Sequence, residues 1–232
     1  MTCYLKLPIN ARRRSSTPQW RVSALLLATG LLLPATHAWS DAAPNANATP
    51  NAAQQLAVGV CATCHGARGI SNLPKIPVLA GQGEAYLTAQ LHAFKTQTRG
   101  DADAIGYMWG MAADLTDEQI LNLSHYYSTA AAPTPATVST RQAVTAQITL
   151  GAHIYTQGIA DRGVPACSAC HGPDAHGLGD FPRLASQHAA YITKQLLSFQ
   201  NTTRDVAVMH AVTTTLKNAE MTAVATYLQA LP

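Results

Sequence analysis

Two short stretches hold every cysteine beyond Cys3: CATCHG at 61–66 and CSACHG at 167–172. Two thiols three residues apart can hold zinc, cycle as a dithiol, close a small-loop disulfide or anchor a haem. Cys-X-X-Cys-His is the spacing that attaches haem c. On one helical turn, both thiols can add to the two vinyl groups along one porphyrin edge. The imidazole of the next residue then faces the iron. Structural zinc usually takes four ligands from two such pairs brought together. Cys61, Cys64, Cys167 and Cys170 could supply them, but the histidines would go unexplained. A thioredoxin-like dithiol expects a strand–turn–helix setting, and none is visible. The residues therefore point to two covalently bound haem c groups, one on Cys61 and Cys64 and one on Cys167 and Cys170, with His65 and His171 as iron ligands.

The surroundings of the two motifs repeat. PVLAGQGEAYLTAQLHAFKTQTR (77–99) matches PRLASQHAAYITKQLLSFQNTTR (182–204) at a constant offset. Pro, Leu, Ala, Gln, Tyr, Thr, Phe and Arg recur in register. Further on, MWGMAADLTDEQILNLSHYY (108–127) matches MHAVTTTLKNAEMTAVATYL (209–228). The chain thus holds two homologous modules. A first domain is expected over 41–130 and a second over 147–232, joined by a Pro- and Thr-rich linker at 131–146.

The repeat also selects a sixth ligand for each iron. Methionine and histidine are the candidates. Met108 and Met209 coincide, whereas Met111 aligns with valine and Met221 with isoleucine, which marks Met221 as core. Methionine in helical proteins is often core filler; recurrence argues otherwise for Met108 and Met209. His210 is the local rival to Met209. His92, His125, His153, His176 and His188 have no histidine counterpart in the other module and read as surface or packing residues. Pro77 and Pro182 recur after the haem histidines. Each is either a simple turn proline or a carbonyl acceptor for the histidine's other ring nitrogen.

These residues must be positioned by helices. Leu87, Leu91 and Phe94 fall on one helical face, as do Ile192, Leu196 and Phe199. Thr116 with Gln119 has the spacing of a capping box opening a helix through Ile120, Leu123 and Tyr127. Ala52 to Val60 and Val144 to Gln157 read as the helices that lead into the two modules. Strand-type alternation is scarce. A module of this size is small for a self-sufficient core, so a cofactor at its centre is expected.

The 232 residues carry a formal net charge of +3. Much of this comes from residues 1–40, which hold Lys6, Arg12, Arg13, Arg14 and Arg21 and no acid. The arginines precede an apolar run, Val22 to Leu33, too short to span a bilayer comfortably. Small residues follow. Residues 1–40 read as a cleaved signal peptide, which places the protein in the periplasm. Its removal leaves ten basic and twelve acidic residues, a net charge of −2. The calculated pI of about 8.6 is thus a poor argument for a nucleic-acid partner, and none is expected. Residues 41–132 carry a net −3 and residues 133–232 a net +1, an asymmetry that would orient a carrier on its partners.

The chain resembles the cytochrome c4 family, dihaem class I cytochromes c of the bacterial periplasm, over about residues 52–231. The resemblance rests on both Cys-X-X-Cys-His-Gly motifs, on LAGQGEAYLTAQLHAF and LASQHAAYITKQLLSF, and on Met108 before WGMAADLTDEQI and Met209 before HAVTTTL. It implies an all-α fold of two tandem cytochrome c (class I) domains. It implies His65/Met108 and His171/Met209 ligation, with the carbonyls of Pro77 and Pro182 on the two histidines. It also implies a one-electron carrier in a respiratory chain, taking electrons from quinol–cytochrome c reductase or another donor and passing them toward a terminal oxidase. Peripheral association with the membrane is left open. The chain departs from the family pattern at Ser186, at Lys217 and in an excess GDADAIGY before Met108, which bears on local loops. The rivals are a cytochrome subunit of a dehydrogenase such as flavocytochrome c sulfide dehydrogenase, or a dihaem peroxidase or thiosulfate-oxidising enzyme. No catalytic residue is expected: neither module offers a spare cysteine or a repeated acid–base pair. Arg99 and Arg204 recur, and an arginine beside a haem more often meets a propionate than a substrate.

Overall fold

The computed structural model describes residues 52–134 and 142–232. The expected signal peptide and residues 135–141 of the expected linker lie outside them. The described chain is helical, with one isolated antiparallel bridge between Ile159 and Val164 and no strand among the described residues. No helix among them is long and apolar enough to cross a membrane.

Module one opens with α1 (Ala52–Leu56), a wider π-helical turn (Ala57–Cys61) and α2 (Ala62–His65) in unbroken succession. It continues with α3 (Glu84–Lys95), a second π-helical turn (Ala104–Met108), α4 (Trp109–Ala112) and α5 (Asp117–Ser128). Ala53 and Ala57 are small enough to bring α1 and its continuation close to α5, where Leu123 and Tyr127 meet them with Leu87 of α3. The spacing of Leu87, Leu91 and Phe94 is that of one face of α3, and Leu87 and Phe94 are buried. Thr116 caps α5 as its sequence predicts. Its hydroxyl accepts from Gln119 N at 3.1 Å, and Gln119 Oε1 accepts from Thr116 N at 2.8 Å.

Module two follows the same plan through α6 (Gln142–Gln157), α7 (Ser168–His171), α8 (Ala189–Gln200), α9 (Ala207–Thr213) and α10 (Asn218–Ala230). The helix α6 begins two residues before the sequence pattern places it. A short 3-10 turn (Ala160–Arg162) lies between α6 and the cysteine motif. Ile154 and Tyr155 of α6 pack against Met221, Val224, Ala225 and Leu228 of α10. Met221 is fully buried there, as its alignment with isoleucine anticipates.

The modules meet through α3 and α8 and the loops that precede them. Residues 105 apart in sequence face one another in pairs. Gln90 Oε1 accepts from Arg99 Nη1 and from Arg204 Nη2, both at 2.7 Å. Gln195 Oε1 accepts from Arg204 Nη1 at 2.7 Å and from Arg99 Nη2 at 2.8 Å. Arg204 Nη2 also reaches the Tyr86 hydroxyl at 2.8 Å. Each guanidinium lies over the phenylalanine of its own module, Arg99 over Phe94 at 4.7 Å and Arg204 over Phe199 at 4.6 Å. The contact is thus a pseudo-two-fold one, of the self-complementary kind that joins identical subunits. At its edge Lys194 pairs with Asp103, and His188 Nε2 donates to Ser71 O at 2.8 Å.

Candidate functional site

Each cysteine motif folds as a single helical turn that ends at its histidine. Cys61 closes a π-turn and Cys64 lies in α2; Cys167 caps α7 and Cys170 lies within it. The glycine after each histidine stops the turn. Gly66 and Gly172 have φ of +79° and +85°, a conformation that excludes ordinary side chains, and a Cβ on Gly66 would meet Ile70 O at 2.2 Å. The turn therefore presents two sulfurs and one imidazole and no more.

Both histidines are buried. His65 Nδ1 donates to the carbonyl of Pro77 at 2.9 Å, and His171 Nδ1 to that of Pro182 at 3.0 Å. A carbonyl can only accept, so Nδ1 carries the proton and Nε2 is left as the lone-pair nitrogen. Burial depresses the pKa of both rings, and the proline carbonyl opposes it only in part. Both rings are therefore held as neutral imidazoles in one tautomer, the form that binds a metal. Burial also raises the Cys61 thiol, and lifts Cys167 to about 11.

Met108 ends the second π-turn, half-buried, against the cluster of Phe94, Ala104 and Ala112. Met209 lies in α9, also half-buried. His210, the rival of Met209, has its Nδ1 engaged with Phe199 O at 3.0 Å. His125 pairs with Glu84, His176 with Asp174 and the carbonyl of Pro232, and His153 is exposed.

The residues fit a haem better than the other cysteine chemistries. Among the described residues no group of three or more His, Cys, Asp or Glu side chains converges as a metal cage. The four described cysteines form no disulfide. Apolar side chains beside the motifs and the methionines remain uncovered by protein: Val60, Ile105 and Tyr107 in module one, Phe181, Val206 and Val208 in module two. Phe181 lies edge-on to the His171 ring, centroids 6.0 Å apart. An apolar macrocycle is what such surroundings accommodate.

The family model for cytochrome c matches the chain twice, over residues 51–131 and 148–232. The chain belongs to the cytochrome c4 family. It is 34% identical to cytochrome c4 of Pseudomonas aeruginosa over 214 residues, 90% of this chain and 96% of that one. The solved cytochrome c4 of Acidithiobacillus ferrooxidans superposes with a TM-score of 0.69 at 37% identity, covering 74% of this chain and 98% of the other. A thiosulfate dehydrogenase electron acceptor of Thiomonas intermedia is 34% identical over 225 residues, 94% of each chain. As a member of the cytochrome c4 family, the protein is a dihaem electron carrier with two covalently bound haem c groups.

Sequence reasoning singled out the cysteines, histidines, methionines and prolines. It did not assign Gln82, Gln90, Gln187 and Gln195, although each recurs at the same offset, nor Asp101, which does not recur. Asp101 is buried and accepts from Arg99 Nε at 2.6 Å. It is part of the excess segment before Met108, and Val206 stands in the corresponding place of module two. Arg99 and Arg204, read as neighbours of a haem, turn out to be buried in the contact between modules.

Proposed function

We propose that the protein is a periplasmic one-electron carrier of a respiratory chain, delivering electrons to a terminal oxidase and turning over no substrate. Cys61 and Cys64 would hold one haem by thioether bonds, with His65 Nε2 and Met108 Sδ as iron ligands. Cys167, Cys170, His171 and Met209 would do the same in module two. The observation that carries this reading is the repeated buried histidine, one residue past a cysteine pair, with Nδ1 fixed on a proline carbonyl and Nε2 left to coordinate. When bound, each haem c supplies one reversible ferric–ferrous exchange. The protein's part would be to supply His65 and Met108 to one iron and His171 and Met209 to the other. Thioether sulfur favours the ferrous ion more than a second imidazole does, so this ligand pair gives a comparatively high potential suited to the oxidase end of a chain. Two protein ligands at each iron would leave no open position for a substrate, which argues against the peroxidase reading. The signal-like segment at 1–40 supports export.

Mass spectrometry after acid–acetone extraction tests the attachment: both haem masses stay on the chain, and each falls away in the matching double-cysteine variant. The near-infrared sulfur-to-iron band of the oxidised protein tests the methionines, halving in Met108→His and in Met209→His. Rapid carbon monoxide binding by the ferrous protein together with peroxide turnover would reverse the carrier reading.

The Thiomonas relative favours a second reading, in which the donor is a thiosulfate dehydrogenase. Its test is stopped-flow mixing of the oxidised protein with such an enzyme and thiosulfate. Reduction of both haems within enzyme turnover supports that donor, and no reduction removes it.

A further inference from the structure

The peptide unit joining Pro77 to Val78 is hydrogen-bonded at both ends. Its oxygen accepts from His65 Nδ1 at 2.9 Å. Its N–H, on Val78, donates to Gln187 Oε1 at 2.9 Å. Gln187 belongs to the other module. The same glutamine returns a bond, Nε2 donating to Val78 O at 3.0 Å. The arrangement recurs with the modules exchanged. The oxygen of the Pro182–Arg183 peptide accepts from His171 Nδ1 at 3.0 Å, and its N–H donates to Gln82 Oε1 at 2.7 Å. Gln82 Nε2 donates to Arg183 O at 3.0 Å. Both glutamines are buried, 7% and 6% exposed. Groups so enclosed have no water to exchange for these partners.

We infer that Gln82 and Gln187 are positioning residues that act across the module contact, each setting the electron donation of the haem histidine in the opposite module. Hydrogen bonds in series polarise one another. An acceptor on the N–H of a peptide drives electron density toward its carbonyl oxygen, which then accepts more strongly from the histidine. A stronger acceptor at Nδ1 makes the imidazole a better donor to its metal. Better donation stabilises the ferric ion and lowers the potential. Gln187 thus lowers the potential at His65, and Gln82 lowers it at His171. The two bonds that each glutamine makes, one accepted and one donated, also fix the loop, and with it the plane of the ring.

The inference rests on His65 and His171 being iron ligands. A merely adhesive role would be felt on both sides of a pseudo-symmetric contact. A tuning role is crossed, and the crossing is what the experiment reads. The full-length holoprotein is compared with Gln82→Leu and Gln187→Leu, which remove donor and acceptor. Gln82→Glu and Gln187→Glu keep an acceptor for the peptide N–H. Haem methyl resonances of the oxidised protein are assigned to each module through Met108→His and Met209→His, and each midpoint potential is measured. Gln82→Leu is expected to raise the potential and move the resonances of the haem on Cys167 and Cys170 while those on Cys61 and Cys64 stay in place. Gln187→Leu gives the reverse. The glutamate variants, which keep the acceptor and add electron density to it, lower the crossed potential below the wild-type value. Should a leucine variant fail to fold, the glutamate variants decide alone: each lowers only the crossed potential. Shifts in the residue's own module, equal shifts in both, or no shift overturn the inference. Ligation is read separately, by loss of the sulfur-to-iron band or of haem in His65→Ala and His171→Ala. If those variants leave the iron untouched, the ligand assignment fails; if ligation stands and the shifts are uncrossed, only the glutamine inference does.

Discussion

Module one buries six large apolar side chains among the described residues: Val78, Leu87, Phe94, Ile120, Leu123 and Tyr127. Module two buries nine: Ile154, Tyr155, Val164, Ile192, Phe199, Leu216, Met221, Val224 and Leu228. The three extra side chains, at about 2 kcal/mol each, favour module two by roughly 6 kcal/mol as an upper estimate. The difference begins where the chain enters each motif. In module one α1 runs straight into the cysteines. In module two a loop intervenes, braced by Arg162, whose Nη2 meets Glu220 Oε1 at 2.5 Å and whose Nη1 donates to Thr215 O at 3.0 Å. One repeat has thus built a protein core around its motif, and the other leaves more of that task to the cofactor.

The largest test removes the cofactor from one module at a time. Cys61→Ala with Cys64→Ala is expected to strip module one of its protease resistance and much of its helical signal. Cys167→Ala with Cys170→Ala leaves a resistant fragment within 142–232. Equal losses would break the comparison. Asp101 comes next, because it is the one carboxylate among the described contacts of the two buried guanidiniums. Asp101→Asn is expected to cost about 3 kcal/mol in urea unfolding, since a buried charge loses its partner. Arg99→Gln should cost more than Arg204→Gln, which gives up no ion pair; the opposite order would place the charge balance elsewhere.

Smaller effects separate the two turns that follow the proline carbonyls. Gly81 and Ser186 occupy equivalent positions with φ of +69° and +58°. A Cβ on Gly81 would meet the Ala132 Cβ at 2.8 Å, so Gly81→Ala adds a steric clash to left-handed strain and costs about 2 kcal/mol. In Ser186→Gly the relieved strain offsets the lost bond from Ser186 Oγ to Leu231 O, 2.6 Å long, and the net change in thermal unfolding is within about 0.5 kcal/mol. The smallest difference lies at the last helix of each module. Thr116→Ala removes half of a complete capping box and costs about 1 kcal/mol. Lys217 has only the other half: Glu220 Oε2 accepts from its N–H at 2.9 Å, but an ammonium cannot accept in return. Lys217→Thr is expected to stabilise by a few tenths of a kcal/mol, up to about 1.

The chemistry of the motifs was legible in the sequence because it is local. Cys61, Cys64 and His65 lie within one turn, and thiols at that spacing have few uses. The helices were legible through the spacing of Leu87, Leu91 and Phe94 and the cap at Thr116. The π-turns before Cys61 and at Met108 were not, since widening a turn leaves the apolar pattern nearly unchanged. The module contact was hidden for a different reason. Repetition says that two units share a fold and nothing of how they dock. Gln82, Gln187, Arg99 and Arg204 are polar residues whose partners lie some hundred positions away, so no periodicity marks them as buried. Their recurrence was visible; its cause was not. The excess residues before Met108 read as loop length, whereas their effect is to set Asp101 against Arg99.

The self-complementary contact has a consequence for how the molecule assembles. Since each module offers the other an equivalent face, a newly made chain holds two halves of a dimer on one tether. Module one of one chain can close on module two of another and make the same glutamine, arginine and tyrosine bonds. Only the tether's effective concentration, which for a short tether is on the order of millimolar, favours closure within the chain. Refolding well below that concentration gives monomers. Crowding the chains during refolding is expected to give exchanged dimers, with unchanged spectra and twice the mass on a sizing column.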